Sequence, residues 1–168
     1  MSLKKIDSLV KVRNYQEAMA ACNELLELRG GAERNQVLKL RANIFARQGK
    51  YDEALLDRQA IIQSGNATTS DYYLAADEAL GAGKHGLAES WFEQAIKMEE
   101  QQGSSWFLSA SYFLLAFAKM ELGNFQGALD ALGKAESLET DVSMPTPTHN
   151  MCSSKELRKE ILKRSQIK

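Results

Sequence analysis

The sequence predicts an all-α fold: an α-solenoid of about four helix-turn-helix repeats closed by a C-terminal capping helix. Three observations lead there. Four segments nearly repeat one another: Arg13-Asn14-Tyr15-Gln16-Glu17-Ala18, Gly49-Lys50-Tyr51-Asp52-Glu53-Ala54, Gly83-Lys84-His85-Gly86-Leu87-Ala88 and Gly123-Asn124-Phe125-Gln126-Gly127-Ala128. Their closing alanines fall 36, 34 and 40 residues apart, a period at which two helices make one unit that buries its apolar face only against its neighbours. Finally, the only prolines are Pro145 and Pro147, so no residue before them must break a helix.

The elements follow in order. The first unit, residues 1–30, is short, with an opening helix over Ser2–Val12 and a second helix carrying Tyr15, Ala18, Cys22 and Leu25. In the second unit, residues 35–64, Leu38, Ala42 and Phe45 form a stripe on a helix from Val37 to Gln48, and Tyr51–Gln63 forms its partner. In the third, residues 69–102, Tyr72, Ala75, Ala76 and Ala79 face Ala88, Phe92 and Ala95. In the fourth, residues 104–139, Tyr112, Leu115 and Ala116 precede Gly123, and Ala128, Leu132 and Ala135 follow it. Alanine recurs where paired helices cross (Ala42 with Ala54, Ala76 with Ala88, Ala116 with Ala128), because a larger side chain would force them apart. Between the third and fourth units Gly103 should close one helix, Ser104 or Ser105 should cap the next, and Trp106 should sit at an exposed helix start. Residues 1–140 thus form the repeat domain and 141–152 an irregular connection. Residues 153–168 form a basic capping helix with Leu157, Ile161 and Leu162 on one face.

Composition narrows the partners. With 21 basic and 22 acidic residues there is no net field to bind nucleic acid or to press the chain onto an anionic membrane. Cys22 and Cys152 have neither a Cys-x-x-Cys neighbour nor metal-ligand spacing, so free thiols in a reducing compartment are expected. The start has no apolar core of signal-peptide length and no later run suits a membrane span, which places the expectation in the cytoplasm. The two histidines, His85 and His149, have no accompanying nucleophile, phosphate loop or metal spacing. No enzyme activity and no cofactor are expected.

These residues resemble the tetratricopeptide repeat family, whose pattern runs Trp-x2-Leu-Gly-x2-Tyr, then Ala-x3-Phe, then Ala and Pro. Tyr72-x2-Ala75-Ala76-x2-Ala79 followed by Ala88-x3-Phe92 and Ala95 matches best, and Gln48-Gly49-Lys50-Tyr51-Asp52-Glu53-Ala54-Leu55 is the most specific piece. The resemblance spans residues 3–139. Arg41 and Arg58 depart from it, standing where the family has Leu and an aromatic residue.

The resemblance implies a right-handed solenoid whose inner wall, lined by the first helix of each repeat, holds a segment of a partner protein. Carried over by position, the N-terminal half of the wall presents Lys39, Asn43 and Arg47, with Lys4, Asp7, Lys11 and Gln36 beside them. The C-terminal half presents Tyr73, Leu74, Asp77, Phe113, Phe117 and Met120, with Leu114 and Ala110. Two readings of the aromatic half stand side by side: an open groove that anchors a partner, or a face covered by the chain's own C-terminal segment. Family members that grip chaperone tails use a Lys and an Asn in one first helix, which Lys39 and Asn43 fit, but they carry an Asn where Leu74 stands, and a Lys and an Arg where Ala110 and Leu114 stand, so co-chaperone function is not expected. The sequence therefore points to a non-catalytic adaptor, scaffold or dedicated chaperone or immunity-type protein that binds a protein or peptide segment. The alternative is a structural scaffold that forms a homodimer through its aromatic C-terminal region.

Overall fold

The computed structural model describes residues 2–28, 30–103, 105 and 107–166. The chain forms an all-α repeat fold divided into two compact units, Met1–Ala67 and Thr68–Lys168.

The first unit contains α1 (Leu3–Lys11), α2 (Tyr15–Leu28), α3 (Gly31–Arg47) and α4 (Tyr51–Gln63). Each helix packs on the next, and α1 also lies against α3, so the first helices of the two repeats share a face. Ile6, Val10, Ala18, Cys22, Leu25, Val37, Leu38, Ile44 and Ile61 fill the core. Ile44 takes the buried position expected of Phe45, which is half-buried. Helix α3 begins at Gly31, ahead of the apolar stripe. There Arg34 Nη1 donates to the Leu26 carbonyl at 2.9 Å and so satisfies an acceptor in the last turn of α2.

Polar groups replace apolar ones where α3 crosses α4. Ala42 and Ala54 are fully buried at this crossing, as the close approach demands. On one side Arg41 forms a two-pronged ion pair with buried Asp57, at 2.8 and 2.7 Å, and donates to Asn23. On the other, Arg58 donates to Asn43. The two arginines that depart from the repeat pattern are thus each given an acceptor, which a buried charge requires.

The second unit contains α5 (Thr69–Gly81), α6 (His85–Gln102), α7 (Leu108–Glu121), α8 (Phe125–Leu138), a hairpin of β1 (Ser143–Thr146) and β2 (His149–Ser153), and α9 (Ser154–Ser165). Again successive helices pack together and α5 meets α7. The turns at Gly49, Gly83 and Gly123 are copies of one another, with φ of 71°, 70° and 76°. In each, the residue after the glycine donates five residues back: Lys50 to Phe45, Lys84 to Ala79, Asn124 to Lys119. This is the Schellman geometry that ends a helix and reverses the chain. The first repeat makes the same turn with Arg13 at φ 60°, Asn14 donating to Leu9.

Two expectations change around the long connections. Gly103 does close α6, in the left-handed conformation, but the position before α7 is Phe107, whose N–H is held by both oxygens of buried Glu99 at 3.1 Å. An acid from the preceding helix does what a serine cap was expected to do. Ser104 and Trp106 lie outside the described residues. Residues 141–152, expected to be irregular, form the antiparallel hairpin instead, with Met144 opposite Cys152. Pro145 sits at the register shift between Met144 and Thr146, where no ladder N–H is needed, and Pro147 falls in the turn.

Candidate functional site

In the first unit the candidate residues lie on one face of α3. Lys39, Asn43 and Arg47 follow at four-residue steps, so helix geometry stacks them along the same side. Lys39 and Asn43 are half-buried and Arg47 is exposed. Beside them, where α1 meets α3, is an open groove of about 350 Å³ lined by Leu3, Lys4, Asp7, Gln36, Lys39 and Leu40. Its exposed lining is mainly apolar and its rim mainly basic. Asp7 is paired with Lys11 at 2.7 Å, so its charge is offset locally.

Behind this face the charged groups are locked. Burial pushes the Cys22 thiol up to about 11, with Arg41 pulling it down and Asp57 pushing it up. The hydrogen bond from Arg41 to Asp57 raises the arginine further above its already high value. These groups hold α2, α3 and α4 together, and Cys22 stays a protonated, inert thiol at neutral pH.

In the second unit the candidate residues divide into two sets. Tyr73, Leu74 and Asp77 lie on α5. Tyr73 stacks on Phe107 with ring centroids 4.9 Å apart and meets Phe92 edge-on at 5.9 Å. Burial, then the neighbouring Asp77 charge, push the Tyr73 hydroxyl up to about 12. Asp77 is exposed to solvent, yet the protein mass around it raises its carboxyl above the usual range. Phe113, Phe117 and Met120, on α7, are 0%, 2% and 3% exposed.

The C-terminal segment provides the cover. Strand β1 packs on α7, and α9 packs on α7 and α8. Phe117 and Met120 share a partly enclosed cavity of about 300 Å³ with His149 and Cys152 of the hairpin and Leu157, Glu160 and Arg164 of α9. Leu157 and Ile161 are buried as expected of a cap, whereas Leu162 turns out to be exposed because it lies off that stripe. Polar links pin the segment down: Arg164 to Glu121 at 2.9 Å, Arg158 to Glu136, and the Ser154 N–H to the Val142 carbonyl at 2.9 Å. Ser153 starts α9 with a reciprocal capping box to Glu156. Of the two readings of the aromatic half, the covered face is the one observed for Phe117 and Met120, and Phe113 is buried as well.

Sequence reasoning missed Arg58 as a partner of Asn43 and missed Leu3 and Leu40 as the apolar part of the groove. The misplaced arginine was the available signal, because a charge at a core position must find an acceptor. Among the described residues, no group of three His, Cys, Asp or Glu side chains is placed to hold a metal, and no helix is long and apolar enough to cross a membrane.

The fold has solved relatives at low identity. The C-terminal part of a TPR repeat-containing protein from Cytophaga hutchinsonii matches with a TM-score of 0.65 at 20% identity, covering 84% of this chain. This chain spans 53% of that structure, about half its length. MamA (41-end) from Desulfovibrio magneticus RS-1 matches with a TM-score of 0.68 at 16% identity, covering 81% of this chain and 72% of that one. YrrB, described as a TPR protein with an unusual peptide-binding site, matches with 0.69 at 16%, covering 82% and 66%. Comparison with curated proteins gave no match. Two family models, both described as tetratricopeptide repeat, match residues 3–67 and 72–102, together more than half of the chain. With its repeated glycine turns, buried alanine crossings and paired helices, the chain belongs to the tetratricopeptide repeat family.

Proposed function

We propose that this chain is a non-catalytic interaction module that binds a segment of another protein on the α1/α3 face of its first unit, as an adaptor or scaffold in the cytoplasm. One observation carries the reading. The groove there combines an apolar floor, Leu3 and Leu40, with the basic side chains Lys4 and Lys39, and Arg47 continues the row along α3. An acidic segment with one apolar side chain complements it, the apolar group supplying desolvated contact and the acids supplying orientation and on-rate. The peptide-binding description of YrrB supports the choice of a peptide as occupant. Near-balanced charge argues against nucleic acid and membrane as partners.

The aromatic half contributes less than the sequence suggested. Partner anchoring or dimerisation through α7 would need Phe113 and Phe117 at the surface, and both are buried. Tyr73, Leu74 and Asp77 stand as a candidate contact set of the second unit by itself.

The test is fluorescence anisotropy with the labelled peptide Gly-Leu-Ser-Glu-Ser-Gln-Ser-Glu-Gly, whose Leu, Glu, Gln and Glu alternate onto one side of an extended chain. Lys39→Glu combined with Arg47→Glu should weaken binding by about tenfold or more, because two attractions become repulsions. Binding that survives this reversal unchanged refutes the site.

A further inference from the structure

The side chain of Arg58 is 1% exposed, and its Nη2 donates to Oδ1 of Asn43 at 2.6 Å. A guanidinium has donors only, so it can hold the asparagine amide in just one orientation, with the carbonyl oxygen inward and the NH2 group outward. The opposite rotamer would set donors against donors. The outward nitrogen makes no hydrogen bond within the described residues and is not buried. Asn43 is therefore a fixed donor between two cationic side chains, Lys39 and Arg47.

The spacing of this row has a chemical meaning. Four residues of α-helix rise roughly 6 Å, while side chains on one side of an extended chain repeat every two residues, roughly 6.7 Å. Three successive same-side positions of an extended segment thus match Lys39, Asn43 and Arg47. Resting on the docking reading above, we infer that Arg58 is a positioning residue that locks Asn43 as a donor, so that α3 reads an extended segment with acidic side chains four residues apart and a neutral acceptor midway. An asparagine free to turn would accept a donor there equally well. With Arg58 behind it, a donor at the midway position is refused.

The experiment uses the labelled peptide above, whose two Glu residues are four apart with Gln between them. Asn43→Asp keeps an acceptor for Arg58, so the melting temperature should hold, but it removes the outward donor and adds a negative charge. Gln36→Glu, on the same wall, adds the same charge and leaves Asn43 in place. Asn43→Asp should weaken binding about tenfold or more, as loss of a well-placed hydrogen bond implies, and at least threefold more than Gln36→Glu does. Arg58→Lys, still cationic and donor-only, should stay within about threefold of the unaltered chain. Arg58→Gln, which can accept as well as donate, should bind several-fold more weakly and should move the Asn43 side-chain amide signals in a 15N spectrum. Should Arg58→Gln fail to fold, the comparison of Asn43→Asp with Gln36→Glu decides alone. Equal losses in those two variants overturn the roles of Arg58 and Asn43 while leaving the docking site standing. A peptide that does not bind the unaltered chain, or that ignores the Lys39 and Arg47 reversal, overturns the docking reading and this inference with it.

Discussion

Truncating one aromatic ring of α7 separates a covered wall from an open one before any partner is known. Phe117 is 2% exposed and contributes to the cavity beneath the hairpin and α9. Replacing it with alanine removes a buried phenyl and enlarges that cavity, a change that costs about 3–5 kcal/mol where the surroundings cannot collapse. In a unit of this size, with total stability of about 5–15 kcal/mol, that is a large fraction. At about 4–8 °C per kcal/mol for a domain near 100 residues, the second unit should melt roughly 15 °C lower or more. The assay is thermal circular dichroism together with urea unfolding. Leu56→Ala serves as the control: Leu56 is 67% exposed, so its truncation should change stability by only about 0.5 kcal/mol. A near-native melt for Phe117→Ala would show that the tail does not cover α7 in solution and would refute the reasoning.

Three further outcomes follow from the same structure. Ending the chain at Thr140 should raise binding of a hydrophobic dye and promote aggregation, because Phe117 and Met120 lose their cover; equal dye signal from both chains would mean that the tail covers nothing. Arg13→Gly should stabilise the first unit by about 0.5–1 kcal/mol in urea unfolding, since Arg13 alone makes the repeated turn without glycine, at φ 60°; a loss of stability would show that the arginine side chain holds the turn. The Cys22 thiol is raised from 9.0 to about 11 by burial, so its contribution is intact below pH 9 and is lost as pH rises from 9 through 11, where the unfolded chain ionises first. Cys22→Ala should flatten roughly 2 kcal/mol of that decline, and an unchanged alkaline profile would show that Cys22 does not cause it.

The repeats could be read from the sequence because their requirements are local. A glycine with positive φ and an alanine at a helix crossing are demanded by backbone sterics within a few residues, so Gly49, Gly83 and Gly123 and the alanines paired across each turn mark the elements directly. The hairpin was hidden because its strands are stabilised by each other and by contact with α7, and threonine and proline read locally as a loop. The covered state of Phe113 and Phe117 was legible only as one of two readings. A helix that is apolar all round declares that something covers it, and only the fold shows that the cover is β1 and α9. At the site, Lys39 and Arg47 were legible from helical spacing. The orientation of the Asn43 amide was not, because it depends on Arg58, fifteen residues away on another helix.

The central claim is that the first unit's α1/α3 face is the docking surface. Titrating 15N-labelled protein with the peptide Gly-Leu-Ser-Glu-Ser-Gln-Ser-Glu-Gly and mapping the amide shifts tests it most directly. The account predicts that the largest changes fall on Lys4, Lys39, Leu40, Asn43 and Arg47, with α7, the hairpin and α9 unmoved; shifts concentrated on Phe113, Phe117 and the C-terminal segment, or none at saturating peptide, would contradict it.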